Sequence, residues 1–357
     1  TRNFVNAAGA VINTNSIPNF LPNPNLKPEL MAETETGIEG KFFQSRLSTD
    51  ITLYQRVSND QILNRDLDPS TGYTSQQINA GKVTNKGIEA QLAYKIIRNK
   101  DWVWEVTGNW TINKSMVSDI PSDLKEIVYA GYTTLGNFAI NGQPLGIMKG
   151  YYYQRHENGQ LLVGAGGDYI ASTSIGIIGD PNPDYKLSGI NSITYKSLTF
   201  RFQVDYTHGG DMYSSTARSL LARGVTKDTE FDRAAPYILP GVTADGKPNN
   251  IQISATQGYF NNVFGPDQGG IFDATVVRLR DMSLSYALPE KLLNKTPFGS
   301  VSITANGSNL WYYAPNFPKY MHFDPETNGL GVGNGKGLEF ITGPSARRMG
   351  LSVRITF

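Results

Sequence analysis

The sequence predicts an all-β fold, a transmembrane antiparallel β-barrel, and three observations predict it. Apolar and polar residues alternate with a period of two along several ribbons of about ten residues. The links between ribbons are alternately very short and very long. The 37 Gly, 19 Tyr and 16 Phe, beside only 18% charged residues, suit strands and turns rather than helices. No run of about 18 apolar residues occurs, so no helix is expected to cross a bilayer. The mean hydropathy of −0.32 is what a barrel gives, because wet and greasy positions interleave along each strand.

The final stretch shows the pattern most plainly. Met349, Leu351, Val353, Ile355 and Phe357 alternate with Gly350, Ser352, Arg354 and Thr356. A strand with one apolar face, ending on an aromatic residue, would be a poor edge in water. It makes sense where one face meets lipid, the other lines a wet interior, and pairing closes the edge.

Taken in order, residues 1–30 are rich in Asn and Pro and read as an irregular loop. Thr34, Thr36, Ile38, Gly40 and Phe42 then share one face. After a break at 43–45, Leu47, Thr49, Ile51 and Leu53 do the same, which makes a hairpin. A second hairpin joins Ile88–Ile96 to Trp102–Ile112 through the turn at 97–101, and a third joins Leu187–Tyr195 to Leu198–Tyr206 through Lys196-Ser197. A fourth pair is Thr275–Leu288 with Val301–Tyr313. In its first strand Val277 and Leu279 have one parity and Met282, Leu284 and Tyr286 the other. A one-residue bulge near Arg280-Asp281 would return both sets to one face. With the last strand this gives about nine spanning strands.

The short links are 43–45, 97–101, 196–197 and 289–299. The long segments 59–80, 117–185, 212–273 and 314–345 are rich in Gly, Asn, Asp and Pro and read as structureless. Short turns on one side and long loops on the other place the long loops outside the cell and Phe357 on the periplasmic side. The alternation assigns Glu39, Asp50, Glu89, Glu105, Arg201, Asp205 and Arg354 to the lumen, because a basic residue turned to lipid near the midplane costs roughly 2–4 kcal/mol. A chain that begins at Thr1 reads as processed or partial. An odd strand count requires further strands from elsewhere, since bacterial barrels have an even number.

Chemical motifs are sparse. His156, His208 and His322 are far apart, Cys is absent, and no H-E-x-x-H or G-x-S-x-G occurs, so no metal site and no catalytic residue is expected. Asp324 with Glu326, or Asp180 with Asp184, offer oxygen ligands to calcium, but without the calcium-loop spacing they read as turns. Gly331–Gly337 lacks the ending of a phosphate loop and reads as a mobile outer loop. A net charge of +1 gives no argument for nucleic acid. Tyr151, Tyr152 and Tyr153, and Trp311, Tyr312 and Tyr313, are candidates for stacking on sugar or for touching a lid partner. The competing reading is an interfacial aromatic girdle, which Trp102 and Trp104 beside a short turn also suit.

Several segments in order carry a family resemblance. They are Asn25-Leu-Lys-Pro-Glu29 with Glu35-Thr-Gly-Ile-Glu39, Asn79-Ala-Gly-Lys-Val-Thr-Asn-Lys-Gly-Ile-Glu89, Gly179-Asp-Pro-Asn-Pro-Asp184, and Gly209-Gly-Asp211. Arg278-Leu-Arg-Asp-Met-Ser-Leu-Ser-Tyr286 with Leu288-Pro289, then Asn309-Leu310 and Asp324-Pro-Glu326, complete the series. Together they resemble the C-terminal part of the barrel of TonB-dependent outer-membrane transporters of the SusC/RagA class. The resemblance implies that residues 1–357 are the last nine strands or so of a single 22-stranded plugged barrel, with plug and first strands outside this chain. It implies a SusD-like lipoprotein over the outer loops, energy drawn through TonB, outer-membrane lipids around the wall, and oligosaccharide or peptide cargo, with no cofactor. Two other readings are an outer-membrane barrel enzyme and a secreted carbohydrate-binding β-sandwich, the latter with its apolar rows packed against a second sheet.

Overall fold

The computed structural model describes residues 2–5, 9–14, 18–331 and 333–357. Among them, nine long strands pair in chain order into one antiparallel sheet. They are β1 Leu30–Phe42, β2 Leu47–Asn59, β3 Lys82–Arg98, β4 Trp102–Ser118 and β5 Tyr185–Tyr195. β6 Leu198–His208, β7 Val276–Ala287, β8 Ser300–Tyr313 and β9 Arg348–Thr356 follow. Every hairpin expected from the alternation is present. β3 and β4 each run 17 residues, well beyond the ~9–11 that cross a bilayer.

Residues directly opposed across an antiparallel pair share a face, so the register assigns both faces. One row reads Glu39, Asp50, Gln91, Asn109, Ser188, Asp205, Arg278 and Tyr312. The row one residue along reads Ile38, Ile51, Ala90, Trp110, Leu187, Tyr206, Val277 and Tyr313. One face of the sheet is polar and the other apolar. The apolar side chains stand open, with Ile38 75% and Leu351 73% exposed. That is not the packed interior a β-sandwich requires.

Two bulges keep the faces pure. Against β8 the pairing runs from Asp281↔Ser308 to Leu279↔Trp311, with Asn309 and Leu310 opposite Arg280, and against β6 it jumps from Gln203↔Asp281 to Val204↔Leu279, so Arg280 is the extra residue on that side. This is the bulge the parity switch demanded. A second, not foreseen, lies between Lys95 and Ile97. It removes Ile96 from the apolar set, and Ile97 takes that place opposite Trp104.

The long connections depart from expectation, since they are not structureless. Ile62–Asp66, Ser75–Asn79 and Phe20–Leu21 form one small sheet, and Glu126–Tyr132, Leu135–Ile140, Ile147–Gly150 and Gly176–Gly179 form another. Asp211–Ser214 pairs with Ile271–Asp273 and, in parallel, with Leu338–Glu339. Residues 1–30 are not all loop either, because Arg2–Val5 pairs with Val11–Thr14. These pieces bury apolar residues contributed by different connections, which none could bury alone. Leu135, Met148 and Ile178 pack with Tyr213 and Leu338, while Ala80 packs with Ile120, Ile127 and Ala139. The described residues therefore keep their apolar core in a folded cap at the long-connection end.

Glu339 ties the cap together. Its buried carboxylate accepts from Ser214 Oγ at 2.8 Å, Thr216 N at 3.0 Å, Thr216 Oγ1 at 2.7 Å and Thr342 N at 2.6 Å. Two of these groups belong to the first turn of the helix Ser215–Ala222, where free N–H groups favour an anion. Burial by itself would raise the Glu339 carboxyl, but the hydrogen bonds outweigh it and hold the group below the usual carboxylate range.

Candidate functional site

The polar face is the candidate site, and alternation along the strands builds it. Glu39 lies opposite Asp50, Glu89 opposite Thr52 and Thr111, Glu105 opposite Lys95 and Ser192, and Arg201 opposite Ser192 and Ser283. Arg354 faces Ser302. All seven residues assigned to the lumen from the sequence thus share this one face. Lys95 Nζ reaches Glu105 at 3.7 Å, and Gln91 Nε2 donates to Asn109 at 2.9 Å.

The most elaborate part centres on Asp205. It accepts from Ser188 Oγ at 2.7 Å, Gln203 Nε2 at 2.8 Å and Arg280 Nε at 2.6 Å. Bulging frees Arg280 from the ladder, so its guanidinium also grips Glu326 through both terminal nitrogens, at 2.8 and 2.7 Å. Arg278, fully buried in the row beside Asp205, pairs with buried Asp324 and lies over the Tyr312 ring, 5.3 Å from its centre. Two arginines of one strand thereby hold a strap, Asp324-Pro-Glu326, against the polar face. Their ion pairs occupy the carboxylates of Asp324 and Glu326, one of the two acidic pairs that offer oxygen ligands to calcium. Arg278 and Arg280 were absent from the expected lumen set. The signal was available, since a bulge at Arg280 turns Arg278, Arg280 and Asp281 into polar-face residues around a single apolar-face Leu279.

Other motifs interlock similarly. Asn79 accepts from Lys27 N at 2.7 Å and donates to Lys27 O at 2.8 Å, while Glu29 accepts from Ile62 N at 2.8 Å. Asp211 N donates to Asp180 O at 2.6 Å, and Asp180 N donates to Asp211 Oδ2 at 2.8 Å. The chain turns into that contact through Gly209 and Gly210, with φ of 71° and 80°. At Gly210 a side chain would press on the Pro181 carbonyl. The described part of Gly331–Gly337 is docked rather than loose, because Asn137 accepts from Lys336 N at 2.9 Å and donates to Lys336 O at 3.0 Å.

The two aromatic triplets come apart. Trp311 and Tyr313 stack at 6.5 Å on the apolar face, whereas Tyr312 is on the polar face and donates its hydroxyl to His322 O. Tyr152 packs into the cap, and Tyr153 donates to Val263 O beside Tyr169, its hydroxyl pushed up to about 12 by burial. Tyr151 alone of its triplet is exposed. At the short-turn end Trp102 and Tyr195 rings lie 4.4 Å apart on the apolar face. Trp104 sits two residues further along the same face, its indole N–H 3.4 Å from Asn191 Oδ1.

Residues 2–310 match the family model described as "TonB dependent receptor-like, beta-barrel". The chain belongs to that family. Within it, this TonB-dependent receptor segment is 25% identical over 364 residues to TonB-dependent receptor P3 of Formosa agariphila, covering 94% of this chain and 35% of that protein. It is 25% identical over 325 residues to TonB-dependent receptor SusC of Bacteroides thetaiotaomicron, covering 85% and 30%. In fold it is similar to the RagAB peptide importer in the closed-closed state, with a TM-score of 0.68 at 19% identity over 100% of this chain and 38% of that one. The TonB-dependent receptor segment spans about a third of the length of the curated relatives it matches. It is a stretch of the β-barrel of that family.

Proposed function

We propose that the full-length protein imports glycan fragments or peptides across the outer membrane, with a SusD-like lipoprotein over the cap and energy drawn through TonB. The single observation that carries this reading is the division of one continuous sheet into a polar and an open apolar face, in a family of TonB-dependent receptors. On this reading the apolar rows meet lipid, and Glu39, Asp50, Glu89, Glu105, Arg201, Asp205 and Arg354 line the bore. The short turns, with Phe357, lie on the periplasmic side, and residues 1–357 form the C-terminal part of the barrel. Exposed Tyr151 is the aromatic residue best placed to touch cargo or lid. Trp311 and Tyr313 belong to the outer girdle, with Trp102 and Tyr195 in the inner one. The chain's own part is to hold, orient and admit cargo, with no bond made or broken.

Purification of the full-length protein from membranes in mild detergent tests this. The expected result is release only by detergent, together with a surface lipoprotein and bound glycan or peptide. Release by carbonate alone, or a pure barrel with neither companion, would count against the importer.

A further inference from the structure

We propose that a cavity where three of the long connections meet binds one uncharged sugar ring of a saccharide chain. The cavity holds about 320 Å³ and lies between residues 61–81, residues 117–145 and Asn334. Its floor is aliphatic, with Val83, Val117, Ile120 and Ala139 all buried. Gln61, Asn64, Gln77, Tyr129 and Asn334 also line it.

Two properties of this lining decide the ligand. First, none of the lining residues is charged, although the four segments 60–81, 119–184, 209–275 and 314–347 carry 20 acidic and 12 basic residues between them. An ionic ligand would lose its hydration here and gain no counter-charge. Second, all five polar side chains lack a hydrogen-bond partner among the described residues. Four are amides, each offering a donor and an acceptor together, and the fifth is a phenol. Burial pushes the Tyr129 hydroxyl up to about 12, so it keeps its proton as a donor near neutral pH.

None of these five groups is sealed from solvent, and Asn64 and Asn334 are exposed, so water meets them until the hydroxyls of a ligand take its place. The volume equals that of roughly ten waters at ~30 Å³ each. That is space for one pyranose ring with a few waters, and the rest of a chain would lie outside. A ring of this kind has the required chemistry: hydroxyls that donate and accept around its edge, C–H faces for the aliphatic floor, and no charge. A peptide end would bring an ammonium or carboxylate to a place with no partner for either. The role of the cavity as a cargo subsite rests on the importer reading, whereas binding itself does not.

The test uses the full-length transporter in detergent, probed with an array of neutral gluco-, manno- and xylo-oligosaccharides beside oligogalacturonates and sulfated chains. Neutral chains should bind and anionic ones should not. Gln77→Ala and Asn334→Ala each remove one neutral hydrogen bond and should weaken binding roughly three- to tenfold, with thermal stability unchanged. Ala139→Leu fills the floor and should abolish binding while the protein still folds. The assignment is overturned if no neutral saccharide binds, if anionic chains bind equally well, or if bound saccharide is indifferent to all three substitutions. Cargo uptake that continues without cavity binding would strike the cavity alone. Cavity binding in a protein that imports nothing would strike the importer alone.

Discussion

Arginine in place of Phe202 should impair insertion of the barrel, while loss of the neighbouring arginine, Arg201→Leu, should not. Phe202 is on the apolar face, midway along β6. Four residues to one side, Leu198 lies in a row with Trp102, Tyr195 and Tyr286, and four to the other, Tyr206 lies in a row with Trp110 and Tyr313. At ~3.4 Å per residue those rows are ~27 Å apart along the strand. With a strand tilt of ~40° this is ~21 Å along the membrane normal, close to the ~25 Å apolar band of such barrels. Phe202 therefore sits near the midplane, where arginine costs ~2–4 kcal/mol, or roughly 30- to 900-fold in the insertion equilibrium. Arg201 lies on the other face between Ser192 and Ser283, so Arg201→Leu should change stability by no more than ~0.5 kcal/mol. Phe202→Leu controls for the lost contact with Phe200, whose ring centre is 5.5 Å away. The assay is urea-dependent folding of the full-length protein into bilayers, together with its yield in the outer-membrane fraction. Equal behaviour of the two variants, or a poorer yield for Arg201→Leu, would refute the assignment of faces.

Three more outcomes follow from the cap and the latch. Asp324→Ala leaves buried Arg278 with only Glu326, 3.3 Å from its Nε, and should cost up to ~3–5 kcal/mol, seen as protease cleavage within 314–345; Arg278→Met with Asp324→Leu should restore much of the resistance, and a single variant as resistant as the parent would show that the strap is held by other contacts. Gly87→Val would drive a side chain into the Tyr54 ring and the Ile112 carbonyl, lowering stability by ~1–3 kcal/mol, and an unchanged urea midpoint would show that β3 can yield there. Because the Glu339 carboxyl is held below its unfolded value, its contribution is present above the ordinary carboxylate pKa and is lost as pH falls through the folded one. Protection of the amides around Ser214–Ala217, relative to their intrinsic exchange at each pH, should therefore fall on acidification, and Glu339→Gln should show reduced protection at neutral pH already.

The wall was legible because alternation is a local signal. Each strand states its own register, and the parity switch between Leu279 and Met282 located a bulge before any partner was known. The Ile96 bulge left no such mark, since Ile96 and Ile97 are both apolar and either could fill the place opposite Trp104. The cap was illegible for a different reason. Its strands are two to seven residues long, and their apolar residues find cover from other connections, as Met148 does beneath Leu338. Such contacts have no period. The seven lumen residues followed from parity alone, whereas Arg278, Arg280 and their carboxylates required knowing that a segment 46 residues away folds back onto β7. The short motifs held this information unread. Asn25–Glu29 meets Asn79, Gly179–Asp184 meets Gly209–Asp211, and Arg278–Asp281 meets Asp324–Glu326, so each motif in the sequence is one half of a contact.

Each pair of halves brackets one hairpin, which makes the cap a gauge of whether neighbouring strands have paired correctly. A slip of β8 against β7 by two residues would preserve inward and outward facing, and lipid would not object. It would nevertheless carry the strap ~7 Å along the strand, too far for Asp324 to reach Arg278. Ordered cap therefore certifies correct stagger, an error to which the greasy exterior is blind.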